Sequence, residues 1–176
     1  TVNGQVVLGA AEGVAINQGT IDVSAADPGA NAGQVRVVSS IATVNMPGAR
    51  ILANGNGAQS NGGEVRLLSK KTTLFASTSR IEAKGGASGN GGFVEVSGDQ
   101  TVFARGDVNT TAANGSIGTY LIDPANITIV NGARAPTDLD GNLSADGQIL
   151  AADACAGGNT LAEGAIEGLS PGTAIV

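Results

Sequence analysis

The chain has 176 residues, a formal net charge of −6, one cysteine, and neither histidine nor tryptophan. A single Cys155 excludes an internal disulfide and a cysteine-based zinc site, and the lack of histidine removes the commonest general base and metal ligand. The acidic balance offers no basic footprint for nucleic acid or an anionic membrane surface. Glycine accounts for 28 residues and aromatics for 2%, so a core made from this chain is narrow and aliphatic. No apolar run approaches the roughly 18 residues that a membrane-spanning helix needs.

In chain order, the first signal is Val6 and Leu8 alternating around Val7, followed by a short apolar strand at Val14 and Ile16. Ile21 and Val23 open the next unit, and Asp27-Pro28-Gly29-Ala30-Asn31 has the chemistry of a tight bend. Val35-Arg36-Val37 then alternates in, out, in, and a strand at Ile41–Val44 ends at Pro47-Gly48. The same phrase returns with Ile51, Val65, Leu67 and Leu74, then with Ile81, Val94, Val96, Val102 and Phe103, and then with Val108, Tyr120 and Ile122. A glycine precedes the alternating strand each time, at Gly4, Gly33, Gly63, Gly92 and Gly118. The repeat is therefore about 30 residues long, the size of one supersecondary unit in a stacked solenoid.

Three short strands per coil of about 30 residues, joined by glycine bends, predict an all-β parallel β-helix. Val35, Val65, Val94 and Tyr120 are expected to stack inside in one column, and Val37, Leu67, Val96 and Ile122 in a second. Ile21, Ile51, Ile81 and Val108 begin the remaining apolar strand of each coil, and Ala42, Thr72 and Thr101 are expected to form a smaller interior row. Outside, Arg36, Arg66 and Glu95 fall in one column. Adjacent coils lie about 4.8 Å apart, which lets Arg66 and Glu95 pair, although an exposed pair contributes only about 0–1 kcal/mol.

The run Gly89–Gly98 (GNGGFVEVSG), then Gly106–Thr110 (GDVNT), then Gly118–Ile129 (GTYLIDPANITI) resembles filamentous haemagglutinin-type exoproteins. These are the large secreted adhesins of two-partner secretion systems. The resemblance covers about Gln18–Ile129. It implies a right-handed β-helix, export through an outer-membrane barrel transporter, and a place in a bacterial surface or matrix fibre that serves adhesion or biofilm. The family's amino-terminal secretion domain is not recognisable, and the matching motif is a scaffold motif that carries no ligand-binding residues.

The coils are expected to occupy residues 1–130. Residues 131–173 read as an insertion or excursion with short helices at Gln148–Ala156 and Leu161–Leu169, and residues 174–176 as the start of a further strand. No signal peptide is recognisable and the pattern is already under way at Val6–Leu8, so the chain reads as a segment of a longer protein.

Few residues carry a chemical signal. Asp138, Asp140 and Asn142 form a weak calcium candidate, but an EF-hand register puts Leu143 at the glycine position and Ile149 at the bidentate acid, and a solvated turn is the simpler reading. Lys70-Lys71 reads as a solvated edge, Cys155 as a small semi-buried apolar residue, and Asp123 as a turn-capping carboxylate. The nearest approach to a catalytic carboxylate pair is Glu95 with Asp99, and sugar-cleaving sites also need aromatic platforms that this chain lacks. The expectation is a non-enzymatic structural rod without cofactor or nucleic-acid partner, secreted to the cell surface or matrix. Its partners are the transporter, further copies of itself, and polysaccharide or host and neighbouring cell surfaces. A glycan-binding module is the alternative, and a polysaccharide-degrading β-helix enzyme the more distant one.

Overall fold

A computed structural model describes residues 4–25, 27–124, 128–130, 160–162 and 174–175. It is all-β among those residues. The first coil consists of β1 (Gln5–Ala10), β2 (Val14–Asn17) and β3 (Thr20–Asp22), and the second of β4 (Gln34–Ser39), β5 (Ala42–Asn45) and β6 (Arg50–Leu52). The third holds β7 (Glu64–Ser69), β8 (Thr72–Phe75) and β9 (Arg80–Glu82), and the fourth β10 (Phe93–Gly98), β11 (Thr101–Ala104) and β12 (Asp107–Asn109). β13 (Thr119–Pro124) opens a fifth coil. Each strand pairs in parallel with its equivalent one coil away, so three sheets run along the stack: β1-β4-β7-β10-β13 on the first face, β2-β5-β8-β11 on the second and β3-β6-β9-β12 on the third. This is a parallel β-solenoid.

The first face follows the two aliphatic columns. Val35, Val65, Val94 and Tyr120 are register partners in turn, as are Val37, Leu67, Val96 and Ile122. All are buried except Ile122, which is partly buried against the core. On the third face Ile51, Ile81 and Val108 are buried, and Ile21, one coil nearer the amino terminus, is partly so. Small residues close the interior beneath them: Ala53 and Ala83 are also fully buried. Burial of these aliphatic groups, at about 25 cal/mol per Å² of apolar area, is the main stabilising contribution. Coil-to-coil pairing satisfies the backbone of every strand flanked on both sides.

The second face departs from expectation by one residue. Ala42, Thr72 and Thr101 do not form an interior row; they are only half-buried and lie on the outward phase. The interior positions belong to Ala15, Thr43, Thr73 and Val102, successive register partners and all buried. A one-residue slip exchanges the two faces of a strand. The cause lies at the corner between the first and second faces. Two residues, such as Ser40-Ile41, turn the chain there, and in the second and third coils the first inward residue beyond the corner is a threonine whose hydroxyl adds a bond to a carbonyl of the next coil. Thr43 Oγ1 donates to Leu68 O at 2.6 Å, and Thr73 Oγ1 donates to Ser97 O at 2.5 Å. The apolar side chains Ile16, Val44, Leu74 and Phe103 consequently share an outward row.

A further interior column on the second face runs Asn17, Asn45, Phe75, Ala104. Asn17 Nδ2 donates to Asn45 Oδ1 at 2.7 Å, and the fully buried Phe75 ring lies beneath Asn45 in the next coil. Phe75 fills the space beside Gly106, where a Cβ would collide with the ring.

Beyond the fourth coil, β14 (Thr128–Val130) pairs in parallel with β15 (Thr160–Ala162), and β16 (Ala174–Ile175) extends the first face by pairing with β13. The expected helix over Leu161–Leu169 is therefore corrected at its start, where Leu161 and Ala162 are strand residues beside Ile129 and Val130. Pairing with the backbone groups of β14 overrides the weak helical pattern there. The expected helix at Gln148–Ala156 lies outside the described residues, as does most of the 131–173 excursion.

Candidate functional site

A shallow groove runs across four coils where the third face returns to the first. Gly33, Gly63, Gly92 and Gly118 form its floor. Gln34, Glu64, Phe93 and Thr119 form one wall, and Ala32, Gly62, Gly91 and Ile117 the other, enclosing a volume of about 440 Å³. At about 4.8 Å per coil, four coils give it a length of about 14 Å.

The floor glycines are dictated by close approach. A Cβ on Gly63 would collide with the carbonyl oxygen of Gly33, one on Gly92 with that of Gly63, and one on Gly118 with that of Gly92. Each of these residues also closes its own coil. Gly33 N donates to Val23 O at 2.7 Å, Gly63 N to Ala53 O at 2.8 Å, and Gly92 N to Ala83 O at 2.7 Å. The carbonyls in turn accept from the next coil, Gly33 O from Glu64 N at 3.2 Å and Gly63 O from Phe93 N at 2.9 Å. One residue type thus meets two demands, close passage beside the neighbouring coil and closure of its own coil.

The wall begins a mixed outer face. Gln5, Gln34 and Glu64 form a polar ladder, with Gln5 Nε2 donating to Gln34 Oε1 at 3.3 Å and Gln34 Nε2 to Glu64 Oε2 at 3.5 Å. Behind it, Arg66 bridges Glu64 on its own strand and Glu95 on the next coil, and its guanidinium lies 4.9 Å from the centroid of the Phe93 ring. The hydrogen bond that Arg66 donates to Glu64 and the charge of both carboxylates raise the Arg66 pKa against the opposing effect of burial. Arg36 sits opposite Arg66 in register.

Glu95 is nearly buried and also accepts from Ser97 Oγ at 2.8 Å. Asp99 is exposed at the following corner, where its N–H donates to Ser69 O at 3.1 Å. Glu95 is thus committed to an ion pair with Arg66. Lys70 and Lys71 are exposed at a corner of the third coil, and Asp123 is an exposed residue of β13. Asp138, Asp140, Asn142 and Cys155 lie outside the described residues. Among the described residues no cluster of acidic or cysteine side chains is arranged to hold a metal ion.

Two features went unnoticed in the sequence. Glu82 on the third face is almost fully buried, with Lys84 Nζ at 2.8 Å, Arg80 Nη1 at 3.4 Å, and Asn54 Nδ2 donating to it at 3.1 Å. Burial raises its pKa, but the hydrogen bonds from Lys84 and Asn54 and the two cations outweigh that and hold it below the ordinary carboxylate range. The other is a corner ladder. Asn31 Oδ1 accepts from Asn61 N at 2.9 Å, Asn61 Oδ1 from Asn90 N at 2.8 Å, and Asn90 Oδ1 from Ser116 N at 2.9 Å. The recurrence of Asn at 31, 61 and 90 was its visible signal.

The fold and the glycine-floored groove define a β-solenoid rod with an uninterrupted aliphatic spine and a shallow axial groove along one edge. A scan against protein-family models finds no match, and neither the curated proteins nor the solved structures yield one.

Proposed function

We propose that this chain is a rod segment of a large secreted bacterial surface adhesin or biofilm-matrix fibre, exported through an outer-membrane barrel transporter, and that it supports cell–cell or cell–surface adhesion. The observation that carries the reading is the stack itself: four coils in register on all three faces, with ion pairs joining Arg66 to Glu64 and Glu95 and joining Glu82 to Arg80 and Lys84. Such a stack transmits length and stiffness and needs no reacting group. The sequence resemblance to filamentous haemagglutinin-type exoproteins supplies the export route and the setting. Fractionating cells that make the full protein tests this. The protein is expected on the surface or in the medium, and disrupting the transporter gene is expected to hold it inside. Accumulation in the cytoplasm of unperturbed cells refutes the proposal.

The groove favours a second reading, a glycan-binding module. Its lining is mostly neutral and polar, with Phe93 offering an aromatic edge, which suits an extended saccharide better than an ion. A glycan array probed with this chain and with Phe93→Ala separates the two: a rod without a site gives no signal, and a groove site gives one that Phe93→Ala reduces.

A further inference from the structure

Five Asn-Gly pairs lie among the described residues, at Asn54, Asn56, Asn61, Asn90 and Asn114. Asparagine followed by glycine is the most reactive setting for side-chain amide loss, because an unhindered following nitrogen can reach the asparagine Cγ. The reaction requires that nitrogen to be free and the side chain to swing toward it.

Four of the pairs are held shut. Gly55 N donates to Lys84 O at 2.8 Å, Gly62 N to Asn90 O at 2.8 Å, and Gly91 N to Ser116 O at 2.9 Å. Gly57 N donates to Ser60 Oγ at 3.1 Å. The asparagine side chains are engaged as well. Asn61 and Asn90 accept from the next coil through the corner ladder, Asn54 accepts from Lys84 N at 3.0 Å, and Asn56 Nδ2 donates to Ala25 O at 3.0 Å.

The fifth pair differs. Asn114 is exposed, and a single side-chain bond, from its Nδ2 to Ala87 O at 2.7 Å, anchors it. The N–H of Gly115 has no hydrogen-bond partner among the described residues. We propose that Asn114 is a site of spontaneous covalent modification, by succinimide formation and conversion to aspartate and isoaspartate, while the other four described pairs are protected by the solenoid.

The chemistry needs only water. The Gly115 nitrogen loses its proton and bonds to Asn114 Cγ, and the bond from Cγ to Nδ2 breaks as ammonia leaves. Water then opens the ring at either carbonyl. Opening at the backbone carbonyl gives isoaspartate, which inserts a methylene into the main chain where Gly115 packs against the carbonyl of Gly89. Both products replace the donor to Ala87 O with a negative charge, which loosens the corner between the fourth coil and β13. The inference is independent of what the rod does in the cell.

The test is prolonged incubation of the folded 176-residue chain at physiological temperature and mildly alkaline pH. Peptide fragmentation and enzymatic methylation of isoaspartate then locate the product. Asn114 is expected to react about tenfold faster than Asn61 or Asn90, whose nitrogens must first be freed by local opening. In urea all five sites are expected to react at comparable rates. Equal rates at Asn61, Asn90 and Asn114 in the folded chain overturn the proposal, as does an unmodified Asn114 in a folded chain whose unfolded form reacts there. Asn114→Gln is expected to fold normally and lose most of the isoaspartate found at the five described pairs; an unchanged yield at those pairs also overturns it.

Discussion

Thr43 donates its hydroxyl to the backbone carbonyl of Leu68 in the next coil at 2.6 Å, and it does so from a fully buried position. Ser39 Oγ lies 3.0 Å from the same hydroxyl. A polar side chain therefore occupies the interior of the second face and adds a side-chain bond between coils to the backbone ladder, in a column where Ala15 and Val102 make none. Thr73 repeats the arrangement against Ser97 O one coil further on.

This relationship is testable by paired substitutions. Thr43→Val keeps the shape and removes the donor, and is expected to cost about 0.5–1.5 kcal/mol, the usual net contribution of one buried hydrogen bond. Thr72→Val, on the outward phase beside it, is expected to change stability by less than about 0.5 kcal/mol. Urea unfolding measures both. Equal costs would mean that the inward phase of the second face has been misassigned.

The aliphatic column of the first face sets the second expectation. Leu67→Ala is expected to destabilise by about 2–5 kcal/mol, because its fully buried side chain is packed from both neighbouring coils. Val65→Asp places a carboxylate at a position with no exposure and is expected to abolish cooperative thermal unfolding. A Val65→Asp chain that melts at the parent temperature would refute the stacking.

The glycine floor of the groove predicts a contrast within one residue type. Gly63→Ala drives a Cβ into the carbonyl of Gly33 and is expected to cost about 1–3 kcal/mol or more through displacement of the coil. At Gly19 an added Cβ meets nothing within 4 Å, and Gly19→Ala is expected to be near neutral. Thermal melts of the two variants decide the matter.

The Glu82 cluster predicts a dependence on acid. Its folded-state pKa is depressed, so its carboxylate contributes stability above the ordinary carboxylate pKa and loses it as pH falls through the folded value. Stability measured from neutral pH downward should fall across the acidic range, and Glu82→Gln should flatten part of that fall while costing about 1 kcal/mol at neutral pH. A variant with the parent's acid profile would show that another carboxylate governs it.

How much could be read in advance depends on what each residue must satisfy. The repeat of about 30 residues, the columns headed by Val35 and Val37, and the recurring glycine before each first-face strand were all legible, because each rests on one local requirement repeated in every coil. Val65 needs an apolar interior whichever coil lies beside it, and Gly63 needs to be small wherever the next carbonyl falls. The pairing of Arg66 with Glu95 was also visible, as two residues in one column.

The inward phase of the second face was decided only in three dimensions. Ala42-Thr43-Val44 and Thr72-Thr73-Leu74 carry no alternation strong enough to choose a side, and by hydrophobicity alone Val44 and Leu74 belong inside. In the fold the hydroxyls of Thr43 and Thr73 meet the carbonyls of Leu68 and Ser97, which arrive from the following coil and let a polar side chain be buried there. The burial of Glu82 among Asn54, Arg80 and Lys84, and the difference between Asn114 and the four other described Asn-Gly pairs, were decided in the same way. Sequence by itself determined the period and the spine, since those follow from the type of each residue. The stack decided which polar atoms meet, since a hydrogen-bond partner one coil away is brought into reach only by the fold.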